Sequence, residues 1–428
     1  MKLPRRTGAL LGASLALAAF AAPAAAQVPL APRALGLGGA YVGTARGHEA
    51  LFANPANLGL SGNPAWSLGF PQVAAGLNLL GPRVGDLPDF FNYDDLTDER
   101  KSELLAAVPA SGTALEADVR APLVTYQNGR LALGVAYGLR GEHTVGRDLV
   151  DLFLNGYQEG RTTYQVGNTR GRRATFWDFA AGYGTSAGPL SVGATAHYYL
   201  GRSLVQTRAF EPRYDLQARD IEVDYVGVGA RGGRGWGLDL GAALGPVRGL
   251  TVSAVVANAL GSMEWSDERT GKSVTLTRAD FREAELQFVR NRYDQSEQDL
   301  GSDPTGAFAA AAVGLTENAT LPTTLRVGAA WALPGVGTTL TAAFHDDLSE
   351  GRLAGRWTRL LGGGVQQKLP VGTVRVGFSS DLEDGSMASG GLTLGPVDLA
   401  AARFTTGDAS GGERNGWIGS FGLSVRAY

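Results

Sequence analysis

Short segments in which apolar residues alternate with small or polar ones recur through this sequence, and they constrain its fold more than any other feature. The last two, Val397–Phe404 and Trp417–Val425, form a hairpin pattern that finishes near an aromatic residue, Tyr428. Side chains of a strand alternate between the two faces of a sheet, so each segment has one apolar face. A sheet that faces lipid must close on itself, because unpaired edges are not tolerated there. The pattern predicts an all-β, antiparallel transmembrane β-barrel.

The predicted barrel has about 14 strands. The segments together number about sixteen, and about fourteen remain if two weak ones fail. The weak segments are Trp66–Leu79, Leu204–Phe210 and Ile221–Gly229. Asn128-Gly129 separates two strong segments and favours a type I′ hairpin turn, which requires positive φ angles.

Connections of two lengths alternate between the predicted strands. The short ones, such as Gly245–Gly249 and Pro334–Gly337, are predicted to face the periplasm. The long polar ones are predicted to face outward: Asp86–Asp118, Gly141–Arg173, Ser262–Thr320 and Thr405–Asn415. This assignment requires both Leu204–Phe210 and Ile221–Gly229 to cross. Thr97 is predicted to cap a helix through Val108, and a second helix is predicted from Arg278 to about Tyr293.

The N-terminus has the pattern of an export signal. Basic residues precede an apolar run, and Ala24-Ala25-Ala26 then supplies a small-residue cleavage site. We predict a signal peptide over residues 1–26, a plug segment over 27–60 and an outer-membrane barrel with long extracellular loops over 61–428. The expected location is the bacterial outer membrane.

The plug is predicted from a glycine-rich stretch followed by a turn. Gly36, Gly38 and Gly39 allow close backbone packing, and Asn54-Pro55-Ala56 favours an extended residue followed by a turn. The glycine run lacks the strand, helix and acidic residue of a nucleotide-binding loop. A compact plug, buried in the lumen, fits the pattern better.

Composition excludes several classes of function. The chain has no cysteine, four histidines without a close pair, and a net charge of -3. These values exclude a thiolate site and disfavour a histidine metal site or a nucleic-acid surface. No serine lies in a sequence context that would make it a nucleophile. We therefore predict neither an enzyme nor a bound metal or cofactor.

Ionisable residues occur between lipid-facing positions of several strands, which predicts that they face the lumen. They are Asp178, His197, Asp239, Arg326, Arg375 and Asp398. The simplest interpretation is that these groups pair with one another or with the plug. The alternative is a polar path or a ligand-headgroup site, in which Arg326 and Arg375 would bind a carboxylate.

The sequence resembles a known family in its plug and in two strand pairs. The plug residues Arg33–Ala40 and Asn54–Ala56 are similar to the N-terminal hatch of FadL-type hydrophobic-compound transporters and of their PorV-like and TraF-like relatives. Gly237–Gly241 with Leu250–Asn258, and Leu321–Trp331, resemble strand pairs of that superfamily. The resemblance implies a fourteen-stranded barrel whose hatch occupies the lumen. In the transporter branch, it implies that ligand leaves as the hatch or a wall opening rearranges.

Two functions follow from these features. The first is a channel for uptake of hydrophobic or amphipathic small molecules such as fatty acids. The alternative is a non-transporting barrel that anchors or shuttles a surface or secreted protein partner. Outer-membrane lipid is the expected surrounding in both. One irregularity concerns Tyr428, which is out of phase by one residue with Val425 and Phe421, so we expect a frayed end or a bulge there.

Overall fold

The computed structural model describes residues 31–80, 89, 96–110, 112–155, 161, 164–165, 168–209, 213–215, 220–265, 269–276, 296–299, 319–349, 359–382, 385–407 and 413–428. The predicted signal peptide, the predicted plug up to residue 30 and the predicted helix from Arg278 to Tyr293 lie outside these ranges.

Eighteen strands make up most of the described chain. They are β1 Trp66–Gly69, β2 Val73–Leu80, β3 Thr113–Asn128, β4 Leu131–Val145, β5 Arg170–Ala187, β6 Leu190–Ala209, β7 Arg213–Asp215, β8 Asp220–Val247, β9 Leu250–Trp265, β10 Arg269–Leu276, β11 Ser296–Asp299, β12 Thr324–Ala332, β13 Thr338–Asp347, β14 Arg359–Leu369, β15 Gly372–Asp381, β16 Gly385–Leu394, β17 Val397–Gly407 and β18 Glu413–Ala427. β1 and β2 form one interrupted strand, and β7, β10 and β11 extend β8 at its outer end. The other strands complete a closed antiparallel wall of fourteen, as predicted.

The wall closes between its first and last strands. β18 pairs with β2 from Arg414↔Leu80 to Phe421↔Val73, and then with β1 from Ser424↔Gly69 to Ala427↔Trp66. Neighbouring strands elsewhere pair in chain order. This closure leaves no free sheet edge between the first and last strands, and it satisfies backbone hydrogen bonds there that lipid cannot supply.

The outer face of the wall is apolar. On β4, Leu131 and Leu133 are exposed, whereas Ala132 and Ala136 between and beyond them are buried. The same alternation continues on β5, where Phe179 and its neighbours alternate between exposed and buried. Large aliphatic and aromatic side chains that point away from a closed barrel are suited to lipid. The protein is therefore a bacterial outer-membrane barrel, in agreement with the predicted location.

Two weak segments are not separate crossings. Leu204–Phe210 was predicted as its own strand, but residues 204–209 continue β6, and Ile221–Gly229 lies within the long β8. Both predictions are wrong because the paired ladder extends without a turn beyond the thickness of the bilayer. Each crossing moves the chain to the other side of the membrane, so two fewer crossings leave every later connection on its predicted side. The requirement that both segments cross was therefore also wrong.

The first hairpin turn differs from the predicted type. Asn128 is the last residue of β3 and pairs with Leu131, so the two turn residues are Gly129 and Arg130. Of these, only Gly129 has a positive φ, of 55°. A type I′ turn needs two such residues, so the Asn-Gly prediction of that turn type was wrong by one position. The hairpin itself is confirmed.

Helices are short and lie outside the wall or within the first thirty described residues. They are α1 Pro32–Leu35, a 3₁₀ helix Gly47–Glu49, α2 Ala50–Ala53, a 3₁₀ helix Pro55–Gly59, α3 Asp98–Ala107 and α4 Arg147–Asn155. Thr97 caps α3 by accepting a hydrogen bond from the backbone N–H of Arg100, which confirms the predicted start of that helix. No helix in the described ranges is long and apolar enough to span a membrane.

Candidate functional site

Residues 31–60, here called the N-terminal segment, pack against the inward-facing positions of strands from around the wall. Its glycines bring its backbone close to that of the wall. Gly38 has a φ of 63° and Gly39 a φ of 80°, and the Gly38 N–H donates to Ser389 Oγ over 3.1 Å. A Cβ on Gly377 would lie 2.1 Å from the Gly38 nitrogen, and one on Gly36 would lie 3.1 Å from the Gly391 Cα. Glycines on both partners permit this backbone contact.

Asn54-Pro55-Ala56 attaches the segment to the opposite part of the wall. The Asn54 side chain accepts a hydrogen bond from the Ala56 N–H over 3.0 Å, which caps the following 3₁₀ helix. Its amide nitrogen donates to the carbonyls of Ala242 on β8 and Ala254 on β9, over 3.2 and 3.1 Å. Pro55 packs its backbone against Gly193 on β6. Asn54 thus bridges the segment and two strands.

A buried charge cluster joins the start of the segment to β15, β17 and β18. Arg33 Nε lies 3.0 and 3.1 Å from the two Asp398 oxygens, and Arg33 Nη1 lies 3.7 Å from Glu49 Oε2. Arg426 and the Tyr41 hydroxyl both donate to Glu49. We call these residues, with Arg375, the Arg33 cluster. It combines three guanidinium groups with two carboxylates.

Arg375 completes this cluster from β15. Its Nη1 donates to Thr393 Oγ1 over 2.7 Å and lies 3.9 Å from Asp398, and its Nε donates to Gln366 over 2.9 Å. Thr393 in turn donates to Asp398. Since protein acceptors already surround Arg375, its surroundings match the interpretation of paired groups more closely than that of a headgroup site.

The surroundings of the cluster shift the pKa values of the segment's groups. Burial alone would raise the pKa of the Glu49 carboxyl, but Arg426 and Arg33 outweigh it and hold that pKa well below its usual range. Burial and the Glu49 charge raise the pKa of Tyr41. Burial lowers the pKa of His48 from 6.5 to about 4. Glu49 is therefore ionised, and His48 and Tyr41 are neutral, at neutral pH.

A second polar group brings together three predicted residues on β5, β6 and β8. His197 Nδ1 lies 2.9 Å from Asp178 Oδ1, and His197 Nε2 lies 3.2 Å from Asp239 Oδ2. Asp239 also accepts the backbone N–H of Asn258 over 2.6 Å. The ring of Phe52, from the segment, is centred 6.2 Å from that of His197. The two carboxylates hold the ring in place beside the segment.

Arg326 lies apart from Arg375. Arg326 on β12 donates from Nη1 to the carbonyl of Phe52 over 3.2 Å, and His345 on β13 is its cross-strand neighbour. Arg326 therefore contacts the segment itself, whereas Arg375 contacts Gln366, Thr393 and Asp398 of the wall, and the two arginines do not share one carboxylate site. The six predicted residues fall into three groups, each of which touches or adjoins the segment.

Of the six residues of the Arg33 cluster, sequence reasoning selected only Arg375 and Asp398 as site residues. Glu49, Tyr41 and Arg426 were not selected, although Glu49 and Tyr41 are buried and all three are bound to a charged or hydroxyl partner. Glu49 could have been noticed, because it is the one acidic residue in the sequence of the predicted plug, residues 27–60. Arg426 had no such signal, since strand ends commonly carry exposed charges. No group of three or more metal-ligating side chains occurs among the described residues.

The wall is weakest between β2 and β3. In the described chain these strands share one paired position, Leu79↔Leu115, whereas β2 and β18 share eight. Pro71 interrupts the first strand and Pro122 lies in β3, and neither can donate a backbone hydrogen bond. The Gln72 N–H still donates to the Pro122 carbonyl over 3.0 Å. We call this part of the wall the β2–β3 seam.

A lateral recess of about 510 Å³ lies on the outer face near the seam. Exposed apolar side chains form its rim, and small residues such as Gly134 and Ala180 form its floor. A Cβ on Gly134 would lie 2.7 Å from Leu51 of the N-terminal segment. At this position only the strand backbone therefore separates the lipid-facing side of the wall from the segment.

Comparisons with known proteins identify the fold. A family of unknown function, DUF5723, matches residues 202–371, less than half of the chain. No curated protein matches the sequence. The toluene transporter TbuX of Ralstonia pickettii superimposes with a TM-score of 0.51 at 14% identity, covering 94% of this chain and 100% of that one. A deltaS2S3 mutant of the monoaromatic hydrocarbon channel TodX gives 0.52 at 12% identity, covering 93% and 98%. TodX is a Pseudomonas putida protein. The predicted resemblance to FadL-type transporters is confirmed for the fold.

Proposed function

We propose that the protein is an outer-membrane channel for hydrophobic small molecules, with residues 27–60 as its plug. The observation that carries the proposal is the β2–β3 seam, a gap in an otherwise paired wall that adjoins the segment. A sealed structural barrel has no need for such a gap, whereas an apolar molecule entering the bilayer from the lumen requires one. The fold shared with the toluene transporter TbuX supports the same function.

The segment reaches the foot of the seam. Gly69↔Thr125 is the last β1–β3 pair before the seam begins. His48 Nδ1 lies 2.9 Å from Thr125 Oγ1, and a Cβ on Gly69 would lie 2.5 Å from the His48 ring. A movement of the segment around His48 would therefore displace Gly69 and Thr125, which lie next to the interruption of the first strand. In this proposal the segment and the seam open together.

The charge clusters hold the segment in its closed position. The Arg33 cluster fixes it to β15, β17 and β18, while Asn54 and Arg326 fix it to β8, β9 and β12. These contacts are individual hydrogen bonds and ion pairs between defined partners. A displaced plug can therefore return to the same position by forming the same pairs again. The proposed class of ligand is an apolar hydrocarbon, and it extends to amphipathic molecules such as fatty acids if Arg326 exchanges its carbonyl partner for a carboxylate.

A reversible lock across the seam tests this function. The sequence has no cysteine, so Leu79→Cys with Leu115→Cys would introduce the only disulfide. We expect bacterial cells carrying the protein to take up labelled toluene faster than cells without it. Oxidation of the double variant should reduce this uptake at least fivefold, and a reductant should restore it. Val365→Cys with Val376→Cys, a cross-strand pair on β14 and β15, is the matched control.

Three outcomes would contradict different parts of the proposal. Equal uptake by cells with and without the protein, for both toluene and labelled oleic acid, would contradict transport. Transport that the seam lock does not change would contradict the lateral route but leave the channel function intact. Uptake of oleic acid alone would replace hydrocarbons by fatty acids as the ligand class.

One observation favours the alternative, an anchor for a protein partner. β8 has 28 residues, and β10 and β11 add to its outer end, so that a sheet extends beyond the wall. Affinity purification from outer membranes should then recover a stoichiometric protein. Replacing residues 269–299 by a short linker should abolish that recovery. Recovery of the protein alone would contradict anchoring.

A further inference from the structure

We propose that an arginine patch on the outer face of β5, β6 and β8 binds the phosphate groups of a phosphorylated glycolipid in the outer leaflet. The patch consists of Arg173, Arg202 and Arg234, with Arg231 beside them, and all four side chains are exposed. This site is independent of transport, because its residues face away from the N-terminal segment.

The register of the strands establishes which way these side chains point. On β8, Arg234 precedes Trp236 by two residues, so both point outward with Leu240. On β5, Arg173 lies four residues from Trp177 and has the same orientation. Ala174, between them, is fully buried. The patch therefore belongs to the lipid-facing side of the wall.

A β-bulge adds the third arginine. Thr175 pairs with Ser203 and Phe176 with Gly201, which leaves Arg202 as an extra residue of β6. Gly232, opposite it on β8, has a φ of 83° that accommodates the irregularity. Bulges redirect a side chain without breaking the sheet. Here the bulge places an exposed arginine between the arginines of the two neighbouring strands.

The height of the patch selects its ligand. Three aromatic residues lie next to the patch on the side of the short turns. Tyr198 on β6 is the cross-strand neighbour of Trp236 on β8, and Trp177 on β5 is the cross-strand neighbour of Leu200 on β6. Tyr198 and Trp236 are 47% and 52% exposed. Such aromatics mark the interface between acyl chains and headgroups. The arginines lie beyond them toward the long connections, at the depth of the outer-leaflet headgroups.

Charge and size agree with a headgroup carrying two phosphates. Strands lie about 5 Å apart, and Arg173 is level with Val205 and Arg234 with Leu200 on β6, so the patch extends about 10 Å across the strands and about 16 Å along them, with Arg202 in between. Guanidinium groups bind phosphate oxygens through paired hydrogen bonds. Among the described residues, Glu264, the cross-strand neighbour of Arg234, is the acid on this part of the outer face. The patch remains positive overall.

Native mass spectrometry of the purified protein in detergent would test the site. The probes are bisphosphorylated lipid A, the same glycolipid without phosphates, phosphatidylglycerol and inorganic phosphate. The variant combines Arg173→Gln, Arg202→Gln and Arg234→Gln. The control combines Arg130→Gln, Arg248→Gln and Lys368→Gln, which removes three exposed charges at the short-turn end. We expect the patch variant to retain bisphosphorylated lipid A at least tenfold less than the wild type and the control.

Several results would overturn the proposal. Equal retention by the patch variant, or equal retention of the dephosphorylated glycolipid, would exclude phosphate recognition at this site. Equal retention of phosphatidylglycerol would exclude selection for a glycolipid, and displacement by millimolar inorganic phosphate would indicate a free-anion site. If the glutamine variant does not fold, the Arg→Lys triple variant replaces it. It should show intermediate retention because it keeps the charges but loses the paired hydrogen bonds.

Discussion

The two halves of the barrel wall are built differently. From β12 to β18 the strands have 9 to 15 residues, and each pairs with the next without a register shift. From β1 to β9 the wall contains an interrupted strand and bulges at Pro122/Val124, Thr175/Phe176 and Leu238/Leu240. The regular half receives the glycine-rich start of the N-terminal segment. The irregular half contains the seam, the recess and the arginine patch.

The difference indicates a division of roles within one sheet. Close backbone packing requires a flat, regular surface, which the glycines of β14 and β15 supply to Leu37 and Gly38. Openings and redirected side chains require breaks in the ladder, which proline and bulges supply on the other side. The predictions below test whether attachment depends on the regular half and opening on the irregular half.

The largest effect is expected from Gly377→Val. Its Cβ would lie 2.1 Å from the Gly38 nitrogen, so the segment must move away from β15. Residues 31–60 should become accessible to protease while the barrel remains folded on semi-native gels. Gly390→Val on β16 is the control, because a Cβ there meets nothing closer than 3.8 Å. Protection of the segment in the Gly377 variant would refute the packing argument.

Glu49→Gln should weaken the attachment by about 3–5 kcal/mol, since it leaves buried Arg33 and Arg426 without their shared carboxylate. Hydrogen exchange of residues 31–60 would measure the change. Glu103→Gln, which breaks an exposed pair with Arg100, is the control and should change stability by about 0–1 kcal/mol. Equal effects of the two substitutions would show that the cluster does not hold the segment.

Acid should loosen the segment near the seam. His48 has a pKa of about 4 in the folded protein and 6.5 as its ordinary value, so the detached segment takes up a proton first as pH falls. Its contribution to attachment is present above pH 6.5 and is lost progressively toward pH 4, by about 3 kcal/mol at most. His48→Gln should remove this dependence in hydrogen-exchange profiles. A dependence below pH 4.5 should persist in that variant because of Glu49.

A smaller effect is expected at the bulge of β9. Asn258 has a φ of 52°, and its side chain donates to the Leu321 carbonyl over 2.8 Å. Asn258→Ala should cost about 1–3 kcal/mol through strain and the lost hydrogen bond. Asn258→Gly should cost less, because glycine adopts this φ freely. Unfolding midpoints in detergent and urea would rank the two variants, and the reverse order would show that backbone strain is unimportant here.

The smallest effect is expected from Tyr428→Ala. β18 ends at Ala427, and Tyr428 is 84% exposed. The substitution should change unfolding stability by less than about 0.5 kcal/mol. A loss of folded barrel in cells without a change in stability would show that the aromatic residue acts during assembly. A large loss of stability would show that the end of β18 is more firmly packed than its exposure indicates.

The fold could be predicted from the sequence because the period-two pattern is repeated in every strand. The count of about fourteen also holds, although Leu204–Phe210 and Ile221–Gly229 were counted separately. The sequence pattern identifies the apolar part of a strand. It does not show that the paired strand continues into polar residues beyond the bilayer. The out-of-phase position of Tyr428 has a simple origin, since the strand ends one residue earlier.

The candidate site was only partly predictable. Asp178 and His197 could be selected because strand alternation determines which face a residue occupies. Asp398 could be selected in the same way, but its pairing with Arg33 and the presence of Glu49 beside them could not be predicted, because these groups come together only when the segment packs against the wall. The seam was also not predicted: Pro71 was noted as a break, but its effect depends on Pro122 in the neighbouring strand.

The pairing of β18 with both β1 and β2 closes the ring of strands around the N-terminal segment. Until that last pairing forms, the N-terminal segment has a sideways exit; afterwards the ring encircles it. Contacts of the segment with β6, β8 and β9 involve strands synthesised early, whereas Gly377, Ser389 and Asp398 belong to strands synthesised late. A segment left outside at closure would have to thread through the finished ring. We therefore expect the segment to take its place before the last strand pairs with the first.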